Sequence, residues 1–125
     1  MIEDQVDKKK LSFDELLEYR RAIGYRVYGV KHTSGIIIDR AVYMDISWEC
    51  IEELADACVY LSFEEEKLRN KQSKFEARKI MSMIGSLKAT ARELYFYRER
   101  MESKYPELLE ETLEDEIRAG NISEV

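Results

Sequence analysis

Five carboxylate side chains recur along one stretch of the chain at spacings that a helix would bring to one face. They are Asp45, Glu49, Glu52, Glu53 and Asp56. A helix turns by about 100° per residue, so these five positions fall within one stripe. Carboxylate oxygens are ligands that Mg²⁺ prefers, and the bound metal can in turn hold substrate phosphates. The spacing therefore predicts a divalent-metal site, for Mg²⁺ or Mn²⁺, on one face of a helix.

The charge around this stripe is one-sided. Residues 41–66 contain eight Asp or Glu and no Lys or Arg, whereas residues 67–100 contain ten Lys or Arg and three Asp or Glu. Like charges one helical turn apart repel each other, so a bound cation would relieve the stripe. The alternatives are a solvated acidic face, or a face that docks on a basic helix of the same chain or of a partner.

Length and composition predict a single helical domain over residues 1–125. The chain is 45% hydrophobic and 37% charged, which is typical of a soluble helical protein. No apolar run reaches the roughly 18 residues of a membrane span, so no membrane partner is expected. The net charge of −6 argues against nucleic acid as a partner, since only residues 67–100 carry a basic excess.

Cysteine placement and the N-terminal residues predict a cytoplasmic protein. Cys50 and Cys58 lie eight residues apart on one predicted helix. Their Cα atoms would be about 12 Å apart, which is too far for a disulfide, so we expect two buried thiols. The N-terminus is acidic with no apolar stretch after it, and no signal peptide is expected.

Start and stop signals divide the chain into helices. Residues 1–10 are expected to be a frayed start, and Ser12 followed by Glu15 forms a capping-box pattern that opens the first helix. That helix should end by Gly29. Apolar spacing then predicts a second helix over residues 46–68 and a third over residues 73–103.

The remaining segments are a connector over residues 30–45 and a C-terminal region over residues 104–125. In the connector, the run Ile36 to Ile38 is expected to be an extended buried segment or a turn of helix, because a single strand would have no evident partner. The sole histidine, His32, is expected in a loop without a catalytic role. Pro106 fits the first turn of a short last helix. The predicted fold class is all-α, a small antiparallel bundle of about four helices that associates into an oligomer.

The acidic helix also resembles a known enzyme family. Residues 52–61 are similar to the second metal-binding helix of the MazG-like all-α nucleoside triphosphate pyrophosphohydrolases, in which Glu-x-x-Asp precedes an apolar run. Compact phage-type members resemble this chain in the segment before the helix, where Trp48 lies, so the likeness covers about residues 20–66. The resemblance implies an oligomeric helical protein that binds Mg²⁺ and cleaves a nucleoside triphosphate to a monophosphate and pyrophosphate.

The resemblance also implies roles for individual residues. Glu53 and Asp56 match the Glu-x-x-Asp metal pair, Glu52 is the acid that precedes it, and Glu49 occupies a place where relatives carry a polar or acidic residue. The implied metal ligands are therefore Glu49, Glu52, Glu53 and Asp56, with Glu53 and Glu52 as the catalytic carboxylates. One carboxylate would orient or deprotonate the attacking water.

One part of the family pattern is missing from its expected place. The family carries a Glu-x-x-Glu pair on the preceding helix, but Asp39 is the only acid between residues 24 and 41. There are three alternatives. Glu15 and Glu18 act as this metal-binding pair across a longer loop, Asp45 and Glu49 replace the pair, or the metal site is degenerate. A degenerate site favours a different class of protein, a non-enzymatic interaction or regulatory protein that docks through the acidic face.

Overall fold

The computed structural model describes residues 6–35, 37–110 and 112–124. The chain divides into two compact units, one formed by Met1–Tyr43 with Thr112–Val125 and the other by Met44–Glu111. Most of the described residues are helical and form four α-helices, which confirms the all-α prediction, although three short strands are also present. Part of the frayed start (residues 1–5) and the first isoleucine of the predicted extended run lie outside the described residues.

The first unit begins with a capped helix. Helix α1 spans Phe13–Tyr28, and Ser12 and Glu15 form the predicted capping box, each side chain bonding to the backbone N–H of the other. The hydrogen bond from the Ser12 backbone N–H, and after it the Ser12 hydroxyl, lower the pKa of the Glu15 carboxyl. The helix ends at Gly29 as predicted. Residues 8–10 of the expected frayed start form a single 3₁₀ turn.

A small antiparallel sheet follows, and it corrects the prediction for the connector. Strands β1 (Gly29–His32), β2 (Ile37–Asp39) and β3 (Ile122–Glu124) pair in the order β2-β1-β3. Val30 lies opposite Ile38 on one side and Glu124 on the other. The expectation that the isoleucine run lacks a strand partner was wrong, as was the loop assignment of His32, because β1 and the C-terminal tail supply the partners.

The core of the first unit lies beside this sheet. Helix α4 (Leu113–Arg118) buries Leu113 against Ile122, with Tyr43 and Ile117 packed around them. Burial, and secondarily the nearby Glu116 carboxylate, raise the pKa of Tyr43. The predicted last helix is therefore two elements, a 3₁₀ turn over Pro106–Leu109 in the second unit and α4 in the first.

The second unit is a helical hairpin. Helix α2 spans Ile46–Asn70 and helix α3 spans Lys74–Lys104, within two residues of the predicted bounds. The connection is short and polar, and Gln72 adopts a positive φ of 61° that lets the chain reverse. The two long helices consequently pack antiparallel against each other along most of their length.

The seam of the hairpin follows a seven-residue repeat. Its positions advance by alternating steps of three and four residues, and all of them are buried or half-buried. On α2 they are Ser47, Ile51, Leu54, Cys58, Leu61, Glu65 and Leu68, and on α3 Ser73, Ala77, Ile80, Ile84, Leu87, Ala91, Leu94, Arg98 and Met101. This is the pattern of an antiparallel coiled coil. A hydrogen bond from Arg98 to Ser47 sets the register, which brings Ile51 level with Leu94 and Leu61 level with Ile84.

The hairpin leaves much of its apolar surface in solvent. Among its described residues the fully buried apolar side chains are Ile51, Ala77 and Ile84. The consecutive aromatic residues Tyr95, Phe96 and Tyr97 are between 37% and 59% exposed and are therefore not core. Two helices alone cannot enclose a core, so their flanks remain uncovered. No helix among the described residues is long and apolar enough to cross a membrane.

Candidate functional site

The outward side of α2 carries the predicted site residues. Glu49, Glu52, Glu53 and Asp56 occupy positions that the seven-residue repeat turns away from α3, and we call them the acidic face. Glu49 is half-buried and the other three are exposed. Because the face points away from α3, it does not dock on the basic helix of its own chain.

Asp45 does not belong to this face, which corrects the prediction of five aligned carboxylates. It caps the N-terminus of α2, where its Oδ1 accepts a hydrogen bond from the backbone N–H of Trp48 at 3.2 Å and from the Ser47 hydroxyl at 3.3 Å. Arg98 Nη1 donates to the same oxygen at 2.5 Å. Asp45 precedes the first turn of the helix, so its side chain folds back over that turn instead of extending outward.

The environment of Asp45 keeps its carboxylate charged. Burial would raise its pKa, but the hydrogen bonds from Arg98 and the Trp48 amide, together with the Arg98 charge, outweigh burial and hold the pKa below its ordinary value. The side chains of Arg98 and Asp45 are only 21% and 12% exposed. This ion pair is therefore structural, and Asp45 is occupied by interactions other than a metal.

Arg98 is the residue that the sequence analysis missed. Its guanidinium lies over the Trp48 ring at 5.4 Å, and Trp48 meets Tyr95 edge to face at 6.4 Å. A signal was present in the sequence, because an arginine interrupts an apolar series between Leu94 and Met101 at the spacing that points into the seam. An arginine at such a position requires an acidic partner on the facing helix.

The acidic face could hold a cation only with further ligands. In the described part of the chain, no three His, Cys, Asp or Glu side chains converge closely enough to hold a metal ion. Side chains three or four residues apart on a helix are about 5–6 Å apart at Cβ, so Glu53 and Asp56 could contact one ion as a pair. Mg²⁺ commonly binds through one or two carboxylates, completing its shell with water and substrate phosphate. The assignment of Glu49, Glu52, Glu53 and Asp56 as ligands stays a prediction.

One member of each candidate pair for the missing upstream position makes other contacts. Glu15 accepts a hydrogen bond from the Ser12 amide in the cap of α1, and Glu18 lies one turn further along the same helix. Of the second candidate pair, Asp45 is held by Arg98, so Glu49 is the only member of that pair on the acidic face. Neither pair supplies two carboxylates without other contacts.

The acidic face continues directly into an exposed apolar patch. Val59, Tyr60 and Phe63 follow Asp56 at steps of three, four and seven residues, and therefore share its side of α2. They are 51%, 73% and 59% exposed. We call these three residues the apolar patch. Large apolar side chains clustered in solvent commonly mark an interaction site.

The two cysteines differ from the prediction and from each other. Cys58 is half-buried in the seam, whereas Cys50 is exposed, so the expectation of two buried thiols was wrong for Cys50. Both are free thiols. Cys50 lies one residue before a seam position and faces the side of the hairpin.

A shallow cavity of about 430 Å³ lies where the 3₁₀ turn approaches α3. Its walls include Arg98 and three acids, Glu99, Glu102 and Glu110. Arg98 is already paired with Asp45, so the other charged residues of this lining are acids, and the cavity offers a substrate phosphate no free cation. We take the acidic face and the apolar patch as the candidate site. Comparison of this chain with known protein families, with curated proteins and with solved structures found no match.

Proposed function

We propose that this protein is a helical docking protein whose α2 binds a basic partner surface through the acidic face and the apolar patch. The strongest support is that the acidic face and the apolar patch follow each other without interruption on the outward side of α2. Four carboxylates are followed directly by three large apolar side chains, all on a helix of 25 residues. Because α2 is one continuous helix, both surfaces lie on the same side of it.

The two surfaces would contribute differently to binding. The apolar patch supplies the desolvated centre, where aromatic side chains such as Tyr60 and Phe63 provide most of the binding energy. The acidic face supplies complementarity of charge and accelerates encounter with a positive partner. The chemistry that fits is an amphipathic basic helix with its apolar side chains flanked by Lys or Arg.

The test uses a synthetic basic amphipathic peptide as the probe. We expect it to bind the full chain with a Kd that rises steeply with salt concentration, because exposed charges are screened over about 10 Å at 0.1 M ionic strength. The triple variant E52Q/E53Q/D56N should weaken binding at least tenfold. Its matched control, E99Q/E102Q/E107Q, removes the same charge from another part of the hairpin and should bind as the wild type does. Equal losses in both triples would contradict the proposal.

A second candidate function is Mg²⁺-dependent cleavage of a nucleoside triphosphate to monophosphate and pyrophosphate. Glu53 and Asp56 lie one turn apart on the same exposed side of α2, as the resemblance to MazG-like enzymes requires, and Glu52 precedes them. Water would attack the α-phosphorus, one carboxylate would take its proton, and pyrophosphate would leave. A panel of triphosphates with Mg²⁺ or Mn²⁺ tests this, and Glu53→Gln should abolish any product. Product formation that Glu53→Gln leaves intact would exclude this site.

A further inference from the structure

An open cavity lies beside the turn that joins α2 to α3. Its volume is about 380 Å³, which is within the range of roughly 300–1,000 Å³ that small-molecule sites occupy. Three of the side chains that line it are basic and one is acidic; they are Arg69, Lys74, Arg78 and Glu65. No residue of the acidic face or of the apolar patch lines this cavity. It is therefore a separate candidate binding site.

The basic side chain that α2 contributes is already paired. Arg69 is hydrogen-bonded to Glu65, whose side chain is only 14% exposed. Glu65 occupies a seam position, so Arg69 neutralises a carboxylate that the packing of α2 on α3 has largely removed from water. Glu66 also acts on the Arg69 charge, but it does not line the cavity. The paired acid and base leave the charge of the cavity to the side chains of α3.

Lys74 and Arg78 supply that charge. Among the described residues, neither of them forms a salt bridge. They are four residues apart on α3, so their side chains leave the same side of the helix, about 5–6 Å apart at Cβ. Glu76 is two residues from each, which places it about 200° around the helix from both, outside the cavity. The lining therefore carries an excess of two positive charges that repel each other, and a bound anion would relieve this repulsion.

Apolar surface lies next to the two cations. Ala77 is 4% exposed, so it lies at the base of the cavity, and Met81, one turn further along α3, is 52% exposed. Methionine is flexible and polarizable, and it makes favourable contacts with aromatic rings. A ligand in this cavity would thus meet charge at one end and an apolar side chain at the other.

We propose that this cavity binds a small molecule that carries a phosphate monoester and an aromatic or other apolar group. A phosphate monoester has a charge close to −2 at pH 7, which matches the excess of two positive charges, whereas a single carboxylate supplies half of it. Lys74 would contact the phosphate oxygens as a point charge, and the planar guanidinium of Arg78 would donate two parallel hydrogen bonds. The apolar group would cover Met81. This inference does not depend on the proposed docking function.

A second pair of the same residue types on α3 provides an internal comparison. Lys88 and Arg92 have the same four-residue spacing, and they follow Lys74 and Arg78 by two seven-residue repeats, so they leave the same side of the helix. Neither forms a salt bridge within the described part of the chain. They do not line this cavity. If two neighbouring cations were sufficient, both pairs would bind phosphate equally, but the proposal requires specific binding at the first pair only.

An NMR titration of the ¹⁵N-labelled full chain with phenyl phosphate, at low salt and pH 7.5, tests the proposal. The amide shifts should saturate and be concentrated in residues 69–81. The double variant K74Q/R78Q should raise the Kd roughly tenfold, because it removes two charge-assisted contacts. Its matched control, K88Q/R92Q, changes the net charge equally and should leave the Kd unchanged.

Two further ligands separate the contributions of charge and apolar contact. Benzoate has the same ring with one negative charge, and it should bind much more weakly than phenyl phosphate. Inorganic phosphate should also bind more weakly, because it lacks the ring. Met81→Gln should weaken the binding of phenyl phosphate and leave that of inorganic phosphate unchanged, which a merely structural role of Met81 would not produce.

Three results would overturn the inference. They are the absence of a saturable shift with phenyl phosphate, an equal loss in the two double variants, and binding of benzoate as tight as that of phenyl phosphate. The spectrum of each variant shows whether it is folded. If K74Q/R78Q is unfolded, Met81→Glu provides the same test, because a negative charge in the cavity should abolish binding. The basic peptide is titrated in separate samples, so failure of this site is distinguishable from failure of docking.

Discussion

Arg98 and Asp45 lie 53 residues apart in the sequence and are joined by a hydrogen bond of 2.5 Å between the two long helices. The same arginine donates to Ser47 at 2.9 Å. These bonds pin the N-terminal end of α2 to α3 and select one register of the coiled coil. A polar residue at a single seam position commonly specifies register in this way. The register decides which residues of α2 lie level with which residues of α3.

Loss of Arg98 should destabilise the hairpin. In Arg98→Ala the Asp45 carboxylate would stay largely buried without its partner, and the stability should fall by about 2–3 kcal/mol. Chemical denaturation of the full chain measures the change. The double variant D45N/R98A also removes the unpaired carboxylate of Asp45. Its loss in free energy of unfolding should be smaller than the sum of the losses in the two single variants. Additive losses would show that the two residues do not interact.

The same pair predicts a dependence of stability on pH. The pKa of Asp45 is lower in the folded protein than its ordinary value of 3.8. Its ionised form therefore stabilises the fold at pH values above the unfolded pKa, and this contribution is lost as the pH falls through the folded pKa. Asp45→Asn should accordingly be less stable than the wild type at pH 7, with the difference shrinking below about pH 4. A difference that stays constant from pH 7 to pH 2 would contradict this assignment.

Much of the second unit could be predicted from the sequence because its signals are local. The apolar spacing of α2 and α3 and the polar break between them are visible in adjacent residues. The sheet of the first unit could not be predicted in the same way, because β1 pairs with Ile122 and Ser123, from the far end of the chain. Asp45 was misplaced for a related reason: spacing alone cannot distinguish the cap of a helix from its first outward position.

The candidate site was predicted in part. The sequence correctly placed Glu49, Glu52, Glu53 and Asp56 on one side of a helix. It did not reveal that Val59, Tyr60 and Phe63 extend the same side as an apolar patch, since aromatic residues at helical spacing are usually core. The exposure of these three side chains depends on how α2 and α3 pack, so it could be seen only in the structure.

Replacement of Gly85 by alanine should stabilise the hairpin. This glycine lies in the middle of α3, and a Cβ built there meets nothing within 4 Å. Glycine inside a helix is unfavourable relative to alanine by about 0.5–1 kcal/mol, so Gly85→Ala should gain roughly that amount. A loss of stability on substitution would indicate that another surface packs against this glycine.

Thermal unfolding at low salt, with Mg²⁺ and with the basic peptide in separate samples, tests most directly whether the acidic face binds a protein surface or a metal. A ligand that binds only the folded chain raises its Tm. The docking account predicts a rise with the peptide that is lost in E52Q/E53Q/D56N, and no rise with Mg²⁺ beyond that of a sodium salt at equal ionic strength. A specific Mg²⁺-dependent rise that disappears in Glu53→Gln, together with no response to the peptide, would contradict docking and support the metal-dependent enzyme.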